Sequence, residues 1–178
     1  MIPRNARHPA NVPPALPFVL PILPAALSLL FVLLPAAPAS DARPGSAPAP
    51  QLGLPRTTLR LGTNSLSVQI AADDSSRETG LMSRTNLGED EGMIFLFPTP
   101  RPVSFWMKDT LIPLSIAYVG PSGRIFEIHD MKALDETPVP SVSPAVASAI
   151  ETSLGWFGRH GVLPGDMVLG IPSPAMAR

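Results

Sequence analysis

Residues 80–114 read GLMSRTNLGEDEGMIFLFPTPRPVSFWMKDTLIPL, a dense apolar segment rich in methionine and aromatic side chains. Met93 to Phe97 is a continuous apolar run of strand length. After a turn from Pro98 to Pro102, Val103, Phe105 and Met107 alternate with Ser104, Trp106 and Lys108, the period-two pattern of a half-buried strand. The spacing predicts two strands side by side, with Phe105 and Trp106 on opposite faces, one in the core and the other free to line a groove.

On the N-terminal side, Leu66, Val68 and Ile70 alternate with Ser67 and Gln69, and Leu59 and Leu61 precede them across Gly62-Thr63-Asn64, which predicts a hairpin. Ser75-Ser76-Arg77-Glu78 fits a capping box that starts a short helix running toward Gly80. On the C-terminal side, Leu114–Val119 and Arg124–Ile128 flank Gly120-Pro121-Ser122-Gly123, a strand, turn and strand. Polar residues and prolines from Asp130 to Pro144 predict a surface loop, and Val146–Ser153 one further strand. Gly155–His160 reads as a short helix ended by Gly161 in the left-handed position, and Gly165-Asp166 as a turn into a final strand, Met167–Ile171. Six or seven short strands with two short helices define a mainly β (β-rich α+β) fold, a small antiparallel barrel-like or sandwich domain. The Gly-Asp turn is also similar to one used in small cradle-loop barrels.

Beyond this unit, 13 of the 24 prolines fall in the first 56 residues. Arg4 and Arg7, the apolar run Phe18–Leu34 and Ala37-Pro38-Ala39 have the order of a signal peptide, with an uncleaved N-terminal anchor as the alternative; Pro21 and Pro24 weaken the run as a membrane helix. The expected organisation is a signal or anchor over 1–39, a Pro/Ala-rich disordered linker over 40–56, a domain over 57–172 and a tail over 173–178. Export to the periplasm, or to the outer face of the inner membrane with the apolar segment as a tether, follows from the leader. Removing Arg4 and Arg7 from 13 basic groups leaves 11 against 14 acidic ones, a net −3, so no clustered basic surface invites nucleic acid. No cysteine is present, which excludes disulfides, thiolate catalysis, zinc–thiolate sites and a lipoprotein anchor.

Gly80-Leu81-Met82-x-Arg84, Gly92-Met93-x-Phe95-x-Phe97 and Phe105-Trp106-Met107-x-x-Thr110-x-x-Pro113-Leu114 occur in this order, followed by Ala149-Ile150-Glu151, Gly155, Gly161 and Gly165-Asp166. In these blocks the chain resembles the domain of unknown function family 192 (DUF-192), over nearly all of the folded unit. The resemblance implies a small, β-rich, often exported domain with no established reaction or cofactor, so no catalytic residue carries over. Two positions depart from the family pattern, which usually has Asn where Asp109 stands and Asp where Ser115 follows Pro113-Leu114. If the family acid binds a ligand, one contact is lost here unless Asp109 substitutes; if it only satisfies backbone donors, Ser replaces it with less consequence.

Trp106 is a stacking platform for a flat ligand or a packing residue. Arg84 offers a rigid fork for a carboxylate such as Asp109 or Asp166, or for an anionic ligand. Asp109 and Thr110 end the Trp106 strand, where polar groups face a cleft or cap a turn. Glu89-Asp90-Glu91 reads as a solvated turn, without the spacing of an EF-hand. His129 with Asp130 or Glu127 supplies an acid and a base, and His129, Met131, Met82, Met93 and Met107 are the soft donors that copper(I) prefers, although methionine ordinarily fills cores. His160 reads as a residue interacting with the end of its helix.

The first functional expectation is a non-enzymatic envelope module that binds a small molecule, glycan or protein near Arg84, Trp106, Asp109 and Thr110, with no cofactor. The second is a periplasmic hydrolase or lyase using Asp109, Glu127 and His129; the third is soft-metal binding. No G-x-S-x-G or other nucleophile-and-base pattern decides for an enzyme.

Overall fold

The computed structural model describes residues 46–174; the signal-or-anchor segment 1–39 and residues 175–178 of the tail lie outside the described residues. Nine strands and two short helices follow one another: β1 (Arg56–Leu61), β2 (Asn64–Ala71), α1 (Asp74–Thr79), β3 (Glu91–Arg101), β4 (Ser104–Phe105), β5 (Leu114–Val119), β6 (Ile125–Met131), β7 (Val139–Pro140), β8 (Val146–Ser153), α2 (Trp156–Arg159) and β9 (Val168–Leu169). Seven of them form one curled, barrel-like sheet in the order β6-β5-β8-β3-β2-β1-β9, while β4 and β7 pair separately. The fold is mainly β, as the hydrophobic patterning predicts.

Both predicted hairpins form. β1 and β2 pair around the Gly62 turn, with Leu59 opposite Leu66, and β5 and β6 pair around Gly120–Gly123. Period-two alternation divides the apolar residues between the two faces of the sheet. Leu66, Val68, Ile94, Leu96, Ile150, Trp156 and Val168 pack in one core, and Met93, Phe95, Met107, Ile116, Tyr118 and Ala149 in another.

The structure differs from the expectation in three ways. The run around Met93–Phe97 and the segment from Val103 to Met107 do not lie side by side. Instead β3 pairs with β2 in parallel and with β8 in antiparallel fashion, and only Ser104–Phe105 is a strand, bonded to β7 inside the expected surface loop. The reason is that residues 72–90 cross over between β2 and β3, as a parallel pair requires, and deliver β3 to the middle of the sheet. The helix cap is Asp73, not Ser75: its Oδ1 accepts from the Ser76 N–H at 2.8 Å, and the Asp73 N–H donates to Ser76 Oγ at 3.2 Å. That bond to the Ser76 amide holds the Asp73 carboxyl below its ordinary value. Finally, β9 is shorter than the predicted Met167–Ile171, because Gly170 bends away at φ 82°.

Residues 51–55, assigned by composition to the linker, are bound to the domain. Gln51 Nε2 donates to the carbonyls of Ser76 and Gly80 at 3.0 and 3.1 Å, where α1 ends, and the Pro55 carbonyl accepts from Ile70 N at 2.8 Å. Ser76 O also accepts from Gly80 N at 3.0 Å, so the glutamine amide adds a second bond there and reaches on to the Gly80 carbonyl, reinforcing the end of the helix.

Candidate functional site

On the face of the sheet that carries Met93 and Ile116, a cleft of about 410 Å³ opens between β3, β8, α1 and the segment from Pro102 to Thr110. Phe95 and Phe97 of β3 form part of its floor, Leu81 and Met82 one wall, and Phe105 and Trp106 the other. Gly80 turns the chain from α1 into this wall at φ 48°, and a Cβ there would stand 3.4 Å from the Phe95 ring. The first glycine of the Gly-Leu-Met block is thus fixed by backbone conformation and by close approach to the cleft floor.

Trp106, with Glu78, Thr79 and Met82, also lines a second cleft of about 390 Å³, to which Asp109, Lys108 and Pro48 contribute. Its indole is 47% exposed, whereas Phe105 packs inward against Phe95, edge to face with ring centroids 4.9 Å apart. The expected division of the two aromatics between groove and core is present. Lys108 Nζ lies 5.4 Å from the Trp106 ring centroid, a cation–π contact at the outer rim.

Neighbouring loops hold this turn through its backbone. Met107 N donates to Asp135 O at 3.0 Å, Ser83 N to Asp109 O at 2.8 Å, and Leu134 N to Thr110 O at 3.0 Å. Thr110 is 5% exposed yet lines the main cleft, and its hydroxyl donates to Lys108 O at 3.2 Å. Asp109 adopts φ 53°, a left-handed conformation that Asp and Asn tolerate better than other side chains. Backbone geometry thereby accounts for an Asn or Asp at this position.

Trp106 lines both clefts, Thr110 the first and Asp109 the second, and the other expected site residues line neither. Arg84 lines neither cleft; its guanidinium donates to Gln51 O at 2.6 Å and to Gln69 Oε1, and desolvation lowers its pKa. It is a strut between the N-terminal segment and β2, not the ion-pair partner of Asp109 or Asp166. Glu127 and His129 bond each other on β6 at 2.8 Å, and Glu127 Oε1 also accepts from Val142 N at 2.9 Å. Neither lines the clefts around Trp106, so the Asp109, Glu127, His129 constellation is not assembled.

The remaining motif residues have structural partners. Asp90 Oδ1 accepts from the buried Trp156 indole at 3.0 Å, Glu89 pairs with Arg159 at 2.9 Å, and His160 stacks on Trp156 while bonding its carbonyl. Met93 and Met107 are sealed in the core, and among the described residues no three His, Asp or Glu side chains gather as a metal site. Ser115 Oγ accepts from Gly155 N at 2.8 Å and donates to Asp130, so this position satisfies a backbone donor.

One further candidate group lies outside the residues that the motif reading singled out for a site. Glu151 of β8 sits between Met93 on β3 and Ile116 on β5, is 4% exposed, lines the main cleft, and makes no hydrogen bond or ion pair among the described residues. Burial pushes its carboxyl up to about 8, so it is largely protonated at neutral pH. The available signal was an acid inside an apolar strand, where alternation places it on the same face as Ala149. Gly92 belongs to the same arrangement: a Cβ there would stand 2.3 Å from the Glu151 carbonyl oxygen.

Fold and cleft thus define a small curled-sheet domain with an aromatic-walled pocket and, among the described residues, one buried acid without a hydrogen-bond or ion-pair partner. The chain belongs to the DUF192 family, described as "Uncharacterized ACR", whose family model matches residues 57–170. A crystal structure described as "a putative transcription regulator" from Sinorhizobium meliloti 1021 is 36% identical with TM-score 0.65, covering 67% of this chain and 97% of that one. A protein of unknown function from Novosphingobium aromaticivorans DSM 12444 is likewise 36% identical, with TM-score 0.63, and the match covers 71% of this chain and 94% of that one. No curated protein matches.

Proposed function

We propose that this protein is an exported, non-enzymatic envelope module that holds a small molecule in the cleft bounded by Trp106, Thr110 and Glu151. The observation that carries the reading is Glu151, a buried acid with no hydrogen-bond or ion-pair partner among the described residues, at the side of an open, aromatic-walled cavity. Native folds leave few such groups, and those that persist beside a pocket mark a site. The leader pattern of Arg4, Arg7, Phe18–Leu34 and Ala37-Pro38-Ala39 supports export.

Binding without turnover is favoured because Glu151 bonds no second acid or base among the described residues: of the other carboxyls that line the cleft, Asp74 is paired with Arg77 and Glu78 belongs to α1. A hydrolase needs a second carboxylate or a base within reach, and Glu127 and His129 are engaged with each other on β6. The regulator description of the S. meliloti relative finds no electrostatic support here, since removing Arg4 and Arg7 leaves 11 basic against 14 acidic groups.

Cell fractionation tests the location, and a small-molecule screen by thermal shift, on wild type and Trp106→Ala, tests the binding. Stabilising ligands lost in the Trp106→Ala protein are expected. Catalytic breakdown of an envelope polymer that Glu151→Gln or Asp109→Ala abolishes would overturn the reading.

A further inference from the structure

Other acids of the domain show by contrast what Glu151 lacks. Asp73 has the Ser76 amide, Asp90 the Trp156 indole, Glu91 the Arg56 guanidinium at 2.6 Å, and Glu127 both His129 and the Val142 amide. Glu151 is the most buried of these acids and has no such partner among the described residues. An ionised carboxylate in that setting is costly, and a glutamine or methionine of similar volume would avoid the cost.

Among the described residues no protein cation is placed to neutralise it. On α1, Arg77 donates to the carbonyls of Ala72 and Leu96 and to Asp74, so its guanidinium is committed, and Glu78 adds a negative charge at the mouth. On β3, Arg101 stands over the Phe97 ring at 5.0 Å and pairs in register with Val146, about 16 Å along β8 from position 151 at about 3.3 Å per residue. Lys108 lies over Trp106. On β5, Tyr118 donates its hydroxyl to Val139 O, and on β6, His129 is bonded to Glu127. With Glu151 ionised, the acids Asp74, Glu78 and Glu151 outnumber the bases Arg77 and Arg101 along the cleft.

The walls suit a positive charge as well. Phe95 pairs with Ala149, two positions before Glu151, so ring and carboxyl share one face of the sheet, and Phe105 meets Phe95 edge to face. Aromatic faces attract cations most where water is excluded. An apolar stem has Leu81, Met82 and Phe97 to lie against.

We infer that the cleft takes an organic cation, a primary ammonium on an apolar stem, with the ammonium donating to the Glu151 carboxylate and the stem lying along Phe95 and Met82. This rests on the binding reading above and names its ligand class. Because the free protein holds Glu151 protonated, seating an ammonium expels that proton to solvent: the O–H bond breaks, a charge-assisted N–H···O contact forms, and one proton is released per ligand. Affinity then rises with pH, up to about tenfold per unit, while the carboxyl remains protonated in the free protein.

The test titrates the full chain by NMR with pentylammonium, pentanol and pentanoate, which share a stem and differ in head group. Pentylammonium is expected to bind at least tenfold tighter than either analogue, to shift the Trp106 indole and Thr110 signals, and to bind more tightly at pH 7.5 than at pH 5.5. Glu151→Gln should remove both the preference and the pH dependence. Should that variant not fold, the pH dependence and buffer-resolved proton release of the wild type decide alone. Pentanol or pentanoate binding as tightly as pentylammonium, or affinity falling as pH rises, overturns the cation inference while leaving the cleft a binding site. If none of the three shifts the Trp106 and Thr110 signals, the cation inference fails; if the small-molecule screen is also empty, the binding reading fails with it.

Discussion

Ser83 donates its backbone N–H to the carbonyl of Asp109 at 2.8 Å, and both residues are in the left-handed region, at φ 59° and 53°. Leu134, at φ 60°, donates in turn to Thr110. Three non-glycine residues in a sparsely populated conformation therefore converge on the turn that presents Trp106 and Thr110 to the cleft. Such strain persists only where surrounding contacts over-determine the backbone.

If backbone strain governs position 109, Asp109→Asn should leave stability within about 0.5 kcal/mol of wild type. Asp109→Val should lower it by about 1–2 kcal/mol, because a β-branched residue resists positive φ. Urea unfolding of the two variants checks this; equal losses would instead implicate the carboxylate.

Glu151 links stability to pH. The unfolded carboxyl ionises near 4.5 while the folded one keeps its proton to about 8, so between these values the folded state binds more protons. The stabilisation is fully present below 4.5 and is lost as pH rises toward 8, with a slope approaching about 1.4 kcal/mol per unit and levelling off beyond. Glu151→Gln should flatten this profile and be more stable than wild type at pH 8. Denaturation at pH 5, 6.5 and 8 measures the slope.

Gln51 reinforces the end of α1 from a distant part of the chain. Gln51→Ala takes this donor from the Gly80 carbonyl and the second of two bonds from Ser76 O, and the cost should be about 1–2 kcal/mol. Hydrogen exchange should quicken at residues 76–82, the wall of the cleft, before it does so in the central strands.

Gly92 is required by the approach of β8. Gly92→Ala drives a methyl into the Glu151 carbonyl and should destabilise by about 1–3 kcal/mol. Gly158→Ala, where a Cβ meets nothing within 4 Å, should be near neutral in the same thermal melt.

Local patterns carried the reading of the fold, and distant pairings did not. Alternation and turn chemistry located β1–β2, β5–β6, β8 and α2, because a hairpin or a helix end is decided by neighbouring residues. The parallel β2–β3 contact is decided by what the crossover does, and no period within Met93–Phe97 distinguishes one neighbouring strand from another. Position also separated the site residues. Trp106 and Thr110 were placed by adjacency in one motif, whereas Arg84 found its partners at Gln51 and Gln69. Glu151 was visible as part of a motif but became a site candidate only through Met93 and Ile116 on the two flanking strands.

The two margins of the curled sheet meet at one small seam. Arg124 bridges Met167, Ile125 N donates to Asp166 O at 2.9 Å, and Gly165 N returns to Ile125 O at 2.8 Å. In a chain without a single disulfide to fasten it, this seam occupies backbone groups that would otherwise invite a second molecule to add its own strand. The Gly165-Asp166 turn therefore covers backbone that a free sheet edge would leave open to strand addition, besides connecting α2 to β9.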